Sequence, residues 1–346
     1  MKQARLTVML MHDVFIADYE LYIPETFMDY KELASLTGLP DWVVKDKLGI
    51  VRKPIERKLS VSEMAKLATS NLMQRHRDTK VDLVLYAASD FKDKYVWDVA
   101  PSVMSALAQQ GFDLRDTYGA DISMQCVSSI VALDLIKPKF TITEGIKNAL
   151  MVMATKQSLI VDYKDESSTF MYDFSDGAAA VLLSNERGRY KLLNGSIITD
   201  GKFSDVVYQM MGERFYESRS GSYLLHVERS KEFNKEFESI SLSNIVRVIT
   251  EAVERSGFST KDIDYLAILH MKRSFHRKVL DALGLGKDKS IYLENFGHMQ
   301  SIDPFLSLWL AEREGKVREG DLIVLVSAGT GWTWGAYAIQ RVSEEG

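Results

Sequence analysis

The chemistry of this chain concentrates on one sulfur, two imidazoles and a glycine-rich turn. Cys126 is the single cysteine in 346 residues. The stretch Asp121 to Gln125 reads as short and extended, and Val127 to Leu135 as an apolar helix, so Cys126 falls where a helix begins. There the positive end of the helix dipole and unpaired backbone N–H groups stabilise a thiolate. The thiolate is the form that attacks a carbonyl carbon and carries an acyl group as a thioester. Ser128 and Ser129, small residues at the start of the helix, fit a functional turn. An inert thiol packed in a core helix is the plain alternative, because free cysteines are so often buried.

His270 closes a hydrophobic strand, a place where side chains emerge toward a cleft. An imidazole there accepts a thiol proton or donates a hydrogen bond to a thioester oxygen; a purely structural histidine fits the same position. His298 lies in Phe296-Gly297-His298-Met299-Gln300-Ser301, a loop whose glycine permits a tight approach. Gly329-Thr330-Gly331, with Gly335 beyond it, follows a buried strand and can aim backbone N–H groups at an oxyanion. A phosphate-binding loop is the rival, but the Walker lysine and a following helix are both missing.

The elements that must position these groups alternate between strand and helix, which predicts an α/β architecture with largely buried sheets. A helix is expected from Ser62 to Gln74, capped by Ser60 or Ser62 with Glu63 in its first turn. Val81 to Ala87, Ala149 to Ala154, Gly177 to Leu183, Leu322 to Val326 and Thr333 to Ile339 read as strands, as does Leu6 to Met11. Pro101 to Gln110 and Leu242 to Ser256 read as helices. Asp78 to Tyr86 and Ser259 to His270 share one pattern: a helix, a short polar link, an Asp and a hydrophobic strand. An internal duplication follows, with halves 1–185 and 186–346 packed as one body; chance similarity of βα units is the alternative. Thr199 to Phe237 fits the rhythm poorly and reads as a substrate-covering insertion, a partner surface or a solvated connector.

Composition bounds the rest. A net charge of -5 argues against a nucleic-acid face. One cysteine excludes an intramolecular disulfide and a cysteine-based metal site, as expected of a reduced, cytoplasmic chain. The apolar runs are strand-sized, so no membrane span is expected, and no metal or cofactor is called for.

Four segments, in order, resemble the β-ketoacyl-ACP synthase III branch of the thiolase-like superfamily. They are Asp121 to Ser129 around Cys126, Phe174-Ser175-Asp176-Gly177-Ala178-Ala179-Ala180-Val181, Asp262-Ile263-Asp264-Tyr265 leading to His270, and Gly315 to Asp321 through Ser327 to Gly335. The resemblance implies a five-layered αβαβα fold of two duplicated halves and a homodimer. It implies acyl loading from acyl-CoA or acyl carrier protein onto Cys126, with His270 and His298 as the other catalytic residues. The backbone N–H groups of Cys126 and Thr330 would form the oxyanion hole. Trp42 is similar to the family's adenine-stacking tryptophan, and Lys45, Lys47, Lys272 and Arg273 are carried over as phosphate contacts at a tunnel mouth.

One departure stands out. Decarboxylating members carry Asn in a G-N-x-S pattern where this chain has Gly297-His298-Met299-Gln300-Ser301. With His298 there, a specialised enzyme is expected, passing its acyl group to carbon, oxygen or nitrogen. The contrasting expectation is a catalytically weak subunit paired with a related chain.

Overall fold

The computed structural model describes residues 13–209, 224–228 and 231–343. The strands of the first half are β1 (Phe15–Tyr22), β2 (Phe27–Asp29), β3 (Arg52–Pro54), β4 (Leu83–Ala88), β5 (Tyr118–Ser123), β6 (Asn148–Lys156) and β7 (Asp176–Ser184). Those of the second are β8 (Tyr190–Thr199), β9 (Val207–Tyr208), β10 (His226–Val227), β11 (Ile263–Ile268), β12 (Leu322–Gly329) and β13 (Thr333–Arg341). The α-helices are α1 (Tyr30–Thr37), α2 (Val61–Gln74), α3 (Val99–Gln109), α4 (Ser128–Ile142), α5 (Lys231–Arg255), α6 (Arg273–Leu283) and α7 (Asp303–Arg313).

Nine strands pair in the order β11-β12-β13-β8-β1-β7-β6-β4-β5. On one side, β4 runs parallel to β6, β6 antiparallel to β7, and β7 antiparallel to β1. On the other, β11 runs parallel to β12, β12 antiparallel to β13, and β13 antiparallel to β8. The same connectivity thus recurs. Among the described residues the two runs pair through Phe15 opposite Lys191 and Ile16 opposite Tyr190, with the Leu192 N–H donating to the Val14 carbonyl.

Alternation along the strands explains the layers, since successive side chains point to opposite faces. Leu83, Leu85 and Ala87 of β4 face a core shared with Val127, Ile130 and Leu133 beside α4, and with Phe305, Leu306 and Leu308 of α7. Tyr265, Ala267, Ile323 and Leu325 meet that core from the other side. Val84 and Tyr86 instead face α2 and α3, while Leu266, Ile268, Val324 and Val326 face α5 and α6. The result is five layers: α2 with α3, a sheet, α4 with α7, a sheet, and α5 with α6.

The elements expected within the described residues are present, with shifted ends. The capping box at α2 forms as expected: Ser60 Oγ accepts from the Glu63 N–H, and the Glu63 carboxylate accepts from the Ser60 N–H. The helix expected to stop at Leu135 continues to Ile142 across Pro138. Proline there forfeits the bond to the carbonyl of residue 134, and Asp134 is exposed, so water can satisfy it. The helix expected from Leu242 is the C-terminal part of the 25-residue α5. The strand expected at Leu6 to Met11 lies outside the described residues. Within Thr199 to Phe237, β9 and β10 form a small antiparallel pair, and Phe203 is buried edge-on against Phe237 and Trp334. Met210, Met211, Phe215, Tyr216 and Tyr223 of that stretch lie outside the described residues.

Candidate active site

The nucleophile turn starts where β5 ends. Gln125 adopts φ 54°, a left-handed conformation that a non-glycine residue rarely takes, and this reverses the chain in one step. Residues Gln125–Val127 form a single 3-10 turn and α4 begins at Ser128. Cys126 therefore stands one turn ahead of the α-helix rather than on its first residue. Ser128 Oγ accepts the Met124 N–H at 2.9 Å and lies 2.9 Å from the Ala88 carbonyl oxygen. Ser327 Oγ donates to the Cys126 carbonyl at 2.5 Å, fixing the turn from β12. A Cβ on Gly329 would stand 2.9 Å from the Met124 oxygen and 3.0 Å from the Cys126 nitrogen. Only glycine lets β12 approach the nucleophile turn so closely.

The same turn is built a second time. Gln300 adopts φ 58°, Gln300–Ile302 form a 3-10 turn, and α7 begins at Asp303. Met299-Gln300-Ser301-Ile302-Asp303 thus parallels Met124-Gln125-Cys126-Val127-Ser128. Asp303 Oδ1 accepts the Met299 N–H at 2.7 Å, the bond Ser128 makes in the first copy. The copies are tied together by Ser129 Oγ donating to the Ser301 carbonyl at 2.8 Å.

His298 precedes this second turn and reaches the sulfur. Its Nε2 lies 3.1 Å from Cys126 Sγ and its Nδ1 2.5 Å from Asp303 Oδ2. Burial alone would lower the His298 pKa; the negative charges of Asp303 and the Cys126 sulfur, with hydrogen bonds to both, outweigh it and raise the pKa well above the usual imidazole value. His270 pairs through Nδ1 with Asp173 Oδ2 at 2.6 Å.

The two pairs brace each other. Asp303 Oδ2 also accepts the His270 backbone N–H at 2.8 Å, and the Asp173 carbonyl accepts the His298 backbone N–H at 2.9 Å. The His298 carbonyl in turn accepts the Ser175 N–H at 3.0 Å. Burial pushes the Asp173 carboxyl up, but the His270 hydrogen bond and the charges of His270, His298 and Lys53 hold it below the usual carboxylate range.

A cavity of about 410 Å³ opens onto these groups, with Cys126, Asp173, His270 and His298 in its lining. Its walls are mostly apolar, and Asn234, Phe237, Glu238, Ser241 and Ile245 line it from one face of α5. Of the other residues expected at the site, Thr330 and Lys272 also line this cavity. Trp42, Lys45, Lys47 and Arg273 do not. Trp42 is 56% exposed, Lys45 Nζ lies 5.2 Å from the centre of the Tyr30 ring, and Arg273 pairs with Glu294 while covering Tyr292. Sequence reasoning missed Asp173, Asp303 and the buried Lys53. One signal was available for Asp303, because Asp303-Pro304 opens a helix five residues after His298. Among the described residues there is no cluster of acidic, His or Cys side chains placed to hold a metal, and no helix is long and apolar enough to cross a membrane.

Two family descriptions match. Residues 120–201 match 3-oxoacyl-(acyl-carrier-protein) synthase III and residues 253–341 match the C-terminal region of the same enzyme. β-Ketoacyl-(acyl-carrier-protein) synthase III of Coxiella burnetii is 26% identical over 323 residues, covering 91% of this chain and 95% of its own. The crystal structure of 3-oxoacyl-(acyl carrier protein) synthase III from Pseudomonas aeruginosa superposes with TM-score 0.83 at 21% identity, over 96% of this chain and 99% of that one. A priming β-ketosynthase from a polyketide biosynthetic pathway superposes with TM-score 0.83 at 18% identity, over 98% and 99% of the two chains. The fold is thiolase-like. The chain belongs to the β-ketoacyl-ACP synthase III-like branch of the thiolase-like superfamily.

Proposed function

We propose that this protein is an acyltransferase that loads an acyl group from acyl-CoA or acyl carrier protein onto Cys126 and passes it to a second substrate. The observation that carries this function is the Cys126–His298–Asp303 line, with 3.1 Å between sulfur and imidazole and 2.5 Å between imidazole and carboxylate. A catalytically weak subunit has no use for such a line, and the cavity gives a donor a route to it.

The proton account runs through His298. In the loading step the Cys126 sulfur attacks the donor's thioester carbon, forming a C–S bond. The backbone N–H of Cys126, beside the Gly329 to Gly331 turn, faces the developing oxyanion. As the donor's C–S bond breaks, protonated His298 gives its proton to the departing thiolate. Acylation also removes the negative charge on sulfur that helps hold that proton. His298 is then neutral and placed to take a proton from an incoming hydroxyl or amine, which attacks the thioester carbon and frees Cys126. Asp303 keeps the ring aimed throughout. A base in the position where decarboxylating members hold an amide favours oxygen or nitrogen over carbon as the acceptor atom. His270, held by Asp173, lines the same cavity and faces the acyl donor. Lys272 at the cavity lining is the cation best placed for a donor phosphate. A cytoplasmic homodimer working in specialised metabolism is the setting this function fits.

Intact mass spectrometry after incubation with a panel of acyl-CoA and acyl carrier protein donors tests it. We expect an added acyl mass on the wild type and none on Cys126→Ala. An unlabelled wild type with every donor would sink the proposal. With a loaded enzyme, hydroxyl and amine acceptors should discharge the thioester; discharge only by a malonyl donor with loss of carbon dioxide would overturn the acceptor assignment.

A further inference from the structure

We propose, resting on the acyl-transfer function above, that Lys53 is a positioning residue that holds the Tyr172-Asp173-Phe174 segment in register and through it aligns both histidines.

The sequence places Lys53 in the middle of β3, and β3 pairs with β2 so that Arg52 faces out while Lys53 faces in. The side chain is fully buried. A buried ammonium is costly unless every proton finds an acceptor. All three do: Nζ lies 2.7 Å from the Tyr172 carbonyl oxygen, 2.7 Å from the Phe174 carbonyl oxygen and 2.8 Å from Tyr163 Oη. These exhaust the three donors of a lysine. The two carbonyls flank Asp173, so the ammonium grips the backbone on both sides of the residue that pairs with His270. The carbonyl of the same Asp173 accepts the His298 N–H. Gly297 closes the other side: a Cβ there would stand 3.2 Å from Lys53 Cβ and 2.3 Å from the Asp173 carbonyl oxygen. Lys53 does not line the cavity, so it acts through the segment and not on substrate.

The charged and titratable groups around Nζ are Asp173 on the gripped segment, Asp176 at the start of β7, and the hydroxyl-bearing Tyr163. Asp176 is itself held by Ser158 Oγ and by the backbone N–H groups of Ser158 and Glu56. Burial pushes the Lys53 amine down to about 8, against the pull of Asp173 and Asp176. Above that pH the amine keeps two protons for three acceptors, and Asp173 loses a counter-charge.

The test compares Lys53→Met, Lys53→Arg and Tyr163→Phe with wild type by acyl-transfer kinetics and by iodoacetamide alkylation of Cys126 from neutral to alkaline pH. Lys53→Met should lower kcat about tenfold or more with the donor KM little changed. Lys53→Arg should restore most of kcat and move upward the alkaline limb expected near pH 8 in wild type. Tyr163→Phe, which removes one acceptor, should move it downward. A Lys53→Met enzyme with wild-type kcat, or unmoved limbs in the other two, overturns the proposal. Should Lys53→Met fail to fold, the limbs of Lys53→Arg and Tyr163→Phe decide. If no donor loads Cys126, the function above fails while the alkylation profiles still judge Lys53: shifted limbs uphold it and superimposed ones refute it.

Discussion

Asp173 gives one carboxylate oxygen to the ring of His270 at 2.6 Å, and its other oxygen is buried with no hydrogen-bond partner among the described residues. A buried carboxylate satisfied on one side only depends on nearby positive charge as well as on its one hydrogen bond. The positive charges it faces are those of His270, His298 and Lys53. Asp173→Asn keeps the shape and removes the charge. We expect a folded enzyme whose acyl transfer falls about 10²-fold, with loading and discharge both slowed, because the brace serves both histidines. Single-turnover kinetics check it; a drop confined to KM would count against the brace.

Asp303 caps the Met299 N–H, orients His298 and accepts the His270 backbone N–H, and a substitution can separate the first duty from the other two. Asp303→Ser retains a side-chain oxygen to cap the Met299 N–H, as Ser128 caps Met124, but leaves His298 without its carboxylate. The His298 pKa should drop, since Asp303 is the leading cause of its elevation against burial. Transfer should fall about 10³-fold, with a stability loss of about 1–3 kcal/mol from the unpaired His270 N–H. Imidazole titration by NMR measures the first and calorimetry the last.

Gly329→Ala places a methyl group 2.9 Å from the Met124 oxygen and 3.0 Å from the Cys126 nitrogen. Neither is a flexible atom, so the turn must shift. Acylation of Cys126 should slow by more than about tenfold while global stability falls by about 1–3 kcal/mol. Equal loading by variant and wild type would show that the turn tolerates the methyl.

His276 reports stability and not catalysis. Burial, with the charges of His270 and Arg273, lowers its pKa to about 4. The unfolded chain therefore takes up a proton near the ordinary histidine pKa while the folded one resists. Stability is full above about pH 6.5 and declines as pH falls toward 4. The loss from this one group reaches about 3 kcal/mol. Chemical denaturation of wild type and His276→Leu across that range should show a shallower slope in the variant.

Ser60→Ala removes the side-chain half of the box at the start of α2, in which Ser60 Oγ accepts the Glu63 N–H, and leaves the backbone N–H of residue 60 donating to Glu63. A loss of about 1 kcal/mol is expected, with Cys126 alkylation unchanged, because α2 belongs to an outer layer remote from the cavity lining.

Much of this molecule was legible in its residues. Hydrophobic runs gave the strands, because strands buried on both faces need no polar alternation. Ser60 and Glu63 announced α2 through a local bond pattern. Cys126, His270 and His298, singled out by setting and by resemblance, do line one cavity. The pairing partners were hidden, for physical reasons. Asp173 and His270 are 97 residues apart, and nothing in a linear pattern says which of many acidic residues will be buried beside an imidazole. Lys53 sits in a run of charges, Arg52 to Lys58, that reads as surface until strand alternation turns one of them inward. The extension of α4 past Pro138 was missed because proline normally ends a helix, and here Asp134, whose carbonyl loses its partner, is an exposed residue. Trp42, Lys45 and Arg273 were placed by resemblance alone, and the cavity walls do not include them.

The repeated turn has a consequence for how such a site can arise. In the first copy a hydroxyl at its fifth position, Ser128, closes the turn and has nothing left to offer. In the second a carboxylate, Asp303, closes the same turn and keeps a spare oxygen pointed at an imidazole. A carboxylate in place of a hydroxyl at a capping position, where the backbone demands an acceptor in either case, furnishes an electrostatic anchor. Architecture built twice supplies spare seats, and chemistry here occupies a different seat in each copy.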